Sequence, residues 1–181
     1  MKQKIPVPNR SVHQLIKEEG LIEAMTRLHC NEKLSFISPD YIIGENTQIY
    51  YFVNIFGKGR IGKNCIISSY TEIQNGVSIG NNCRVGSHSF LCSGVTLEDN
   101  SFLGSGIITI NDHFPKPHNK NYKQLETVIK KGSSIGSGTV IMGNITIGEN
   151  SVIGAKSLIT KNIPDNEVWY GHPAKFVRKI C

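Results

Sequence analysis

The sequence predicts an all-β solenoid, a chain wound into a three-sided column of short parallel strands, and three observations carry that prediction. An aliphatic residue returns at every sixth position from Ile43 through Ile49, Ile55, Ile61, Ile67, Ile73, Ile79, Val85, Leu91 and Leu97 to Leu103, and again from Ile129 through Ile135, Ile141, Ile147 and Ile153 to Ile159. The position four after each is mostly small or compact, as at Thr47, Val53, Gly59, Cys65, Thr71, Val77, Cys83, Ser89, Val95, Thr139, Ser151 and Ser157. Gly44, Gly62 and Gly80 lie eighteen residues apart, as do Asn46, Asn64, Asn82 and Asn100. A helix repeats near 3.6 and a flat strand near 2, so neither alone yields a beat of six. Two inward positions two apart make a short strand, and residues tolerant of positive φ turn a corner after it. Three hexads then close one triangular coil. Coils stacked at about 4.8 Å bury each aliphatic residue against its equivalents, giving nearly six coils and a column roughly 27 Å tall.

The chain divides accordingly. Residues 1–40 form a helical segment, with a capping box at Ser11 and Gln14, a stripe of Val12, Leu15 and Ile16, and a second stretch from Leu21 to Leu28 with Leu21, Ile22, Met25 and Leu28 on one face. These short helices should cover the lower coil edge. Residues 41–164 form the column, interrupted at about 109–128 by a loop containing Asn111-Asp112-His113-Phe114-Pro115-Lys116-Pro117-His118. Irregular segments of that length in compact domains usually carry function, and its prolines suit an ordered arm reaching a neighbouring subunit. Residues 165–181 form a cap, expected as a strand and a short helix over the upper edge.

Outward positions carry a second message. Ile66 and Phe102 share one face, Phe90 and Ile108 another, and Tyr50, Tyr51, Phe52 and Phe56 crowd the lower coils, whereas Arg60, Ser78 and Thr96 make the remaining face polar. Two apolar faces suit two contact surfaces per subunit and a closed three-fold ring. At 181 residues one domain is expected. There is no apolar run of membrane-spanning length and no secretory signal, which points to the cytoplasm. The five cysteines contain no C-x-x-C pair, and Cys65 and Cys83 are expected as core filler one coil apart. A net charge of +6 favours an anionic partner, but no nucleic-acid-binding signature accompanies it.

Neutral histidine is the natural base near pH 7. His88 sits at a coil corner and His113 and His118 in the loop, while His13, His29 and His172 lie in terminal segments and are expected to be structural. The upper coils Ile135-Gly136-Ser137-Gly138 and Ile153-Gly154-Ala155-Lys156 offer bare backbone for a long amide-bearing carrier arm.

Blocks such as Ile61-Gly62-Lys63-Asn64-Cys65-Ile66 and Ile147-Gly148-Glu149-Asn150-Ser151-Val152 resemble the repeat of the hexapeptide-repeat acyltransferases over about residues 41–164. The segment Val168-Trp169-Tyr170-Gly171-His172-Pro173-Ala174-Lys175 resembles their terminal V-x-x-G-x-P-A-K. The resemblance implies a left-handed parallel β-helix, a homotrimer with active sites between subunits, and acetyl-CoA as donor. Leu97-Glu98-Asp99-Asn100 through Thr109 to Lys116 is similar to the L-E-D-x through T-N-x-x-x-P-R segment of N-acetyltransferases acting on nucleotide-linked 3-amino sugars, although Ile110 intervenes and Lys116 replaces Arg. The expected function is therefore acetyl transfer to the amino group of a nucleotide-linked amino sugar. His88 is the expected base or proton relay, and Asn111 orients substrate and stabilises the oxyanion. Glu72, Asp112 and His113 are expected to bind substrate, and Gly138, Ala155, Lys156, Lys161 and Lys175 to bind acetyl-CoA; no metal is expected. Three alternatives stand beside it: an O-acetyltransferase acting on a sugar or antibiotic hydroxyl, a γ-class carbonic anhydrase suggested by the spacing of His113 and His118, and a non-enzymatic scaffold.

Overall fold

A computed structural model describes residues 33–180, and every regular element among them is a strand, mostly two or three residues long. The helices expected around Ser11–Gln14 and Leu21–Leu28 lie outside the described residues. The strands form three faces of a prism. The first face stacks Phe36–Ile37, Asn54–Ile55, Glu72–Ile73, Phe90–Leu91, Ile108–Thr109, Val140–Ile141 and Leu158–Ile159. The second stacks Tyr41–Ile43, Gly59–Ile61, Ser78–Ile79, Val95–Leu97, Thr127–Ile129 and Ile145–Ile147. The third runs from Gln48–Ile49 through Ile66–Ile67, Arg84–Val85, Phe102–Leu103, Ser134–Ile135 and Val152–Ile153 to the strands Glu167–Gly171 and Ala174–Lys179. Seven rungs on the first face exceed the coil count of the 41–164 repeat, because Phe36–Ile37 adds a rung below.

Register explains the eighteen-residue period. Ile49 pairs with Ile67 and Ile67 with Val85, so like residue stacks on like. Leu97 pairs with Ile129, so the register survives the inserted loop. The first face continues the beat through Thr109, which stacks on Ile141 with its hydroxyl satisfied: Cys92 N–H donates to Oγ1 at 2.8 Å, and Oγ1 donates to Phe90 O at 3.1 Å.

The smaller inward positions form polar ladders inside the apolar core. Thr47 Oγ1 donates to Gly62 O at 2.7 Å, Cys65 Sγ to Gly80 O at 3.1 Å, Cys83 Sγ to Glu98 O at 3.1 Å and Ser133 Oγ to Gly148 O at 2.8 Å, each reaching the carbonyl of the next coil. Buried hydroxyls are tolerated only when paired, and no buried side-chain N or O among the described residues lacks a partner. Cys65 and Cys83 are buried, as the core-filling role requires. The hydrogen bond with Cys65, reinforced by burial, holds the Cys83 thiol far above its ordinary range.

One expectation for the cap is corrected. Ala174–Lys179 is a strand antiparallel to Glu167–Gly171, not a helix. Glu167–Gly171 joins the third face as its last parallel rung, leaving its outer N–H and C=O groups in need of partners. The returning strand supplies them. Trp169 takes the aliphatic position above Ile153, donates from Nε1 to Glu167 Oε2 at 2.7 Å, and carries Lys161 Nζ 4.9 Å from its ring centroid.

Candidate functional site

The corner joining the third face to the first differs from the others in what it carries. One of the remaining corners is lined by Asn46, Asn64, Asn82, Asn100 and Asn150 in the left-handed conformation, near φ 54 to 60°. Here the equivalent column reads Phe52, Tyr70, His88, Gly106, Gly138 and Lys156, with φ between 55 and 72°. The imidazole of His88 lies on the Tyr70 ring, centroids 4.7 Å apart and planes 10° from parallel. Tyr70 in turn lies on Phe52 at 5.0 Å and 12°. These spacings match the rung pitch of about 4.8 Å, so the backbone register itself produces the stack.

Above His88 the column loses its side chains. A Cβ added at Gly106 would meet nothing nearer than Gly138 backbone at 3.8 Å, and one at Gly138 would meet Lys156 Cγ at 3.3 Å. The upper face of the imidazole therefore opens into a notch of two bare rungs ending at Lys156, about 14 Å above by rung spacing. Beside it on the third face runs a shallow groove of about 290 Å³, lined by Arg84, Ser87, Gly104, Ser105 and Ser137 among others. Its floor is backbone by necessity, since a Cβ on Gly86 or Gly104 would approach the next rung to 2.5 or 2.6 Å. The His88 side chain is exposed, and its backbone N–H donates to Ser69 O at 3.1 Å.

Four residues predicted from sequence thus share one corner: His88, Gly138, Ala155 and Lys156. Glu72 lies on the adjoining first face, directly below Phe90, and accepts a hydrogen bond from Gln74 Nε2. The loop residues occupy the other edge of that face. Asn111 Nδ2 donates to Ser93 O at 3.1 Å, Phe114 N–H donates to Asp112 Oδ1 at 2.8 Å, and His113 Nε2 contacts Gly143 O at 3.0 Å. From His88 to Ser93 the chain crosses the full width of the face, five residues or about 16 Å. One chain therefore does not bring His88 and Asn111 together. Lys161 sits over Trp169, and Lys175 lies in the last strand beside a hollow of about 610 Å³ that includes Tyr170, His172 and Phe176.

Sequence reasoning missed Tyr70 and Tyr122. Tyr70 could have been found, because Phe52, Tyr70 and His88 are eighteen residues apart and occupy equivalent corners. Tyr122 had no such signal: it comes from the loop to lie beside Asn111 and Asp112, where burial first and the Asp112 charge second raise its phenol. The outward faces are arranged as expected. Phe90 and Ile108 lie on the first and Ile66 and Phe102 on the third, so the His88 corner is the edge shared by the two apolar faces. No group of three His, Cys, Asp or Glu side chains able to hold a metal forms among the described residues, and His88 and His113 occupy different corners. No helix among those residues is long and apolar enough to cross a membrane.

Comparison with known proteins adds four findings. Residues 58–93 and 126–161 match the family described as bacterial transferase hexapeptide (six repeats). Over 151 residues, 81% of this chain and 79% of the relative, the sequence is 49% identical to a dTDP-3-amino-3,6-dideoxy-alpha-D-galactopyranose 3-N-acetyltransferase of Aneurinibacillus thermoaerophilus. A shorter match, 48% identical over 29% of this chain and 25% of the relative, is to a galactoside O-acetyltransferase of Lactococcus lactis. Among solved structures, a mutant of AntD, an N-acyltransferase from Bacillus cereus in complex with dTDP and coenzyme A, aligns with TM-score 0.71 over 77% of this chain and 83% of that one. At 22% identity that likeness establishes the fold.

Proposed function

The chain belongs to the hexapeptide-repeat bacterial transferases, built on the left-handed parallel β-helix, and on that premise we propose that it moves the acetyl group of acetyl-CoA onto the amino group of a nucleotide-linked amino sugar. The observation that carries this reading is the His88 corner, where a base faces a side-chain-free notch. A pantetheine arm has no use for side chains but can bond exposed backbone, so the bare rungs at Gly106 and Gly138 suit it, with Ala155 and Lys156 at their upper end. Lys156 would meet phosphate or the adenine nucleotide, and Lys161 and Lys175 supply further cations at the same end of the prism. A 3-amino-3,6-dideoxyhexose linked to dTDP, the substrate class in the name of the 49% identical relative, is the first candidate acceptor.

In the reaction the neutral amine attacks the thioester carbonyl carbon, the carbon–sulfur bond breaks, and coenzyme A leaves as thiolate. His88 takes the proton from the attacking nitrogen and passes it to the departing sulfur. Asn111 serves as orienting and oxyanion-stabilising group, with Asp112, His113 and Glu72 toward the sugar nucleotide. Because His88 and Asn111 lie at opposite edges of one face, the complete site takes His88 from one subunit and the loop from the next. The apolar first and third faces are the surfaces that close such a homotrimer. The reaction draws on cytoplasmic acetyl-CoA and needs no metal or nucleic acid.

Thiol release from acetyl-CoA, measured against dTDP-linked 3-amino sugars and their 3-hydroxy counterparts, tests the reading. Turnover confined to the amino sugars supports it, and turnover of the hydroxy sugars alone replaces it with O-acetylation. In His88→Asn, a residue this corner's backbone accommodates, a rate loss under roughly tenfold, about 1.4 kcal/mol, overturns the base role.

A further inference from the structure

We propose that Tyr70 is a positioning residue for His88: the phenol ring one coil below is a platform that fixes the imidazole plane and so aims its nitrogens at the reacting groups. This rests on the acetyl-transfer reading and deepens it.

His88 is exposed and makes no side-chain hydrogen bond among the described residues. Histidines that act as bases generally have one nitrogen bonded to a carboxylate or carbonyl, which settles ring orientation. Here that restraint is absent, and the Tyr70 ring, 4.7 Å away and 10° from parallel, is the contact that replaces it. A stack engages the face of an imidazole and leaves both edge nitrogens available, which a proton relay between amine and sulfur requires. Tyr70 is itself 53% exposed and lies on Phe52 at 12°, so two rings below restrict the third. The stack stops at His88 because the next two corner residues are Gly106 and Gly138. The ladder therefore supports the imidazole from beneath and leaves its upper face clear. The phenol hydroxyl has no part in this, since only the ring is needed.

Kinetics of Tyr70→Phe and Tyr70→Asn test the proposal. Asparagine removes the ring yet suits the φ of 62° at this position, so the coil is kept. Tyr70→Phe should stay within about twofold of the native enzyme, whereas Tyr70→Asn should lose roughly tenfold or more in kcat with the KM for acetyl-CoA changed less than about threefold. Adding Tyr70→Asn to His88→Asn should cost nothing further, because the platform has then lost its ring. A second measurement does not depend on turnover: the His88 ring protons should show an upfield ring-current displacement by NMR that persists in Tyr70→Phe and disappears in Tyr70→Asn. Native kcat in Tyr70→Asn, with His88→Asn still impaired, overturns the positioning role alone. Absence of turnover in the native protein sinks the acetyl-transfer reading instead. A His88 ring signal that ignores Tyr70→Asn refutes the stack itself.

Discussion

Replacing Gly106 by asparagine separates the proposed carrier slot from the packing of the prism. Most glycines of the coil cannot accept a side chain: a Cβ at Gly104 would lie 2.6 Å from Ser137 N, and one at Gly62 would lie 2.5 Å from Gly80 O. Gly106 is different, since its nearest neighbours would be Gly138 Cα and N at 3.8 Å, ordinary van der Waals contact. Its φ of 70° would strain most L-residues, but Asn46, Asn64, Asn82 and Asn144 hold similar values at other corners. The stability cost of Gly106→Asn should therefore be below about 1 kcal/mol, as expected where the new residue fits the native backbone. The new carboxamide must occupy the notch directly above His88. If the pantetheine arm runs there, the KM for acetyl-CoA should rise at least tenfold, about 1.4 kcal/mol of lost binding. Urea unfolding and initial-rate measurement on the same preparation check both halves. A folded Gly106→Asn enzyme with native acetyl-CoA kinetics would refute the carrier path.

Gly62→Ala should destabilise the protein by about 1 to 3 kcal/mol in urea unfolding, because its methyl group meets backbone that the rung above cannot move. Tyr41 Oη donates to Val77 O at 2.7 Å, and burial holds the phenol well above its ordinary value. The unfolded chain ionises near pH 10 while the folded one stays protonated, so the unfolded state binds fewer protons above that pH and stability falls as pH rises through it. Tyr41→Phe should cost about 1 kcal/mol at neutral pH, and comparing unfolding midpoints at pH 8 and pH 11 should show its deficit shrinking; a constant gap would contradict this. Subunits of inactive His88→Ala and Asn111→Ala variants, unfolded and refolded together in equal amounts, should recover about a quarter of native activity if sites form between subunits. Recovery of none would mean that a single subunit supplies both residues, and would overturn a site shared between subunits.

Much of the fold was legible because the period of six has one geometric meaning. The aliphatic beat, the eighteen-residue corners and the polar second face all return as stacked columns. Where the reading stopped short, competing chemistry was responsible. Thr109 continues the column beyond Leu103, yet a hydroxyl does not look like a core residue until Cys92 N–H and Phe90 O are found around it. The cap was expected to end in a helix, and an unpaired strand edge drew Ala174–Lys179 into a hairpin instead. Of the candidate site, His88, Gly138, Ala155 and Lys156 fall on one corner, which their numbering modulo eighteen obscures because the inserted loop shifts the phase between Gly106 and Gly138.

By itself, then, the amino-acid order determined the column, its three faces and the corners at which chemistry could sit, since each depends on residue type at a short, regular spacing. Tertiary structure decided which distant residues meet. The Phe52–Tyr70–His88 stack, the empty rungs above it and the separation of His88 from Asn111 across a face all arise from stacking one coil on another. That stacking turns positions eighteen or more residues apart into neighbours a few ångströms away, and leaves residues only five apart at opposite edges of a strand.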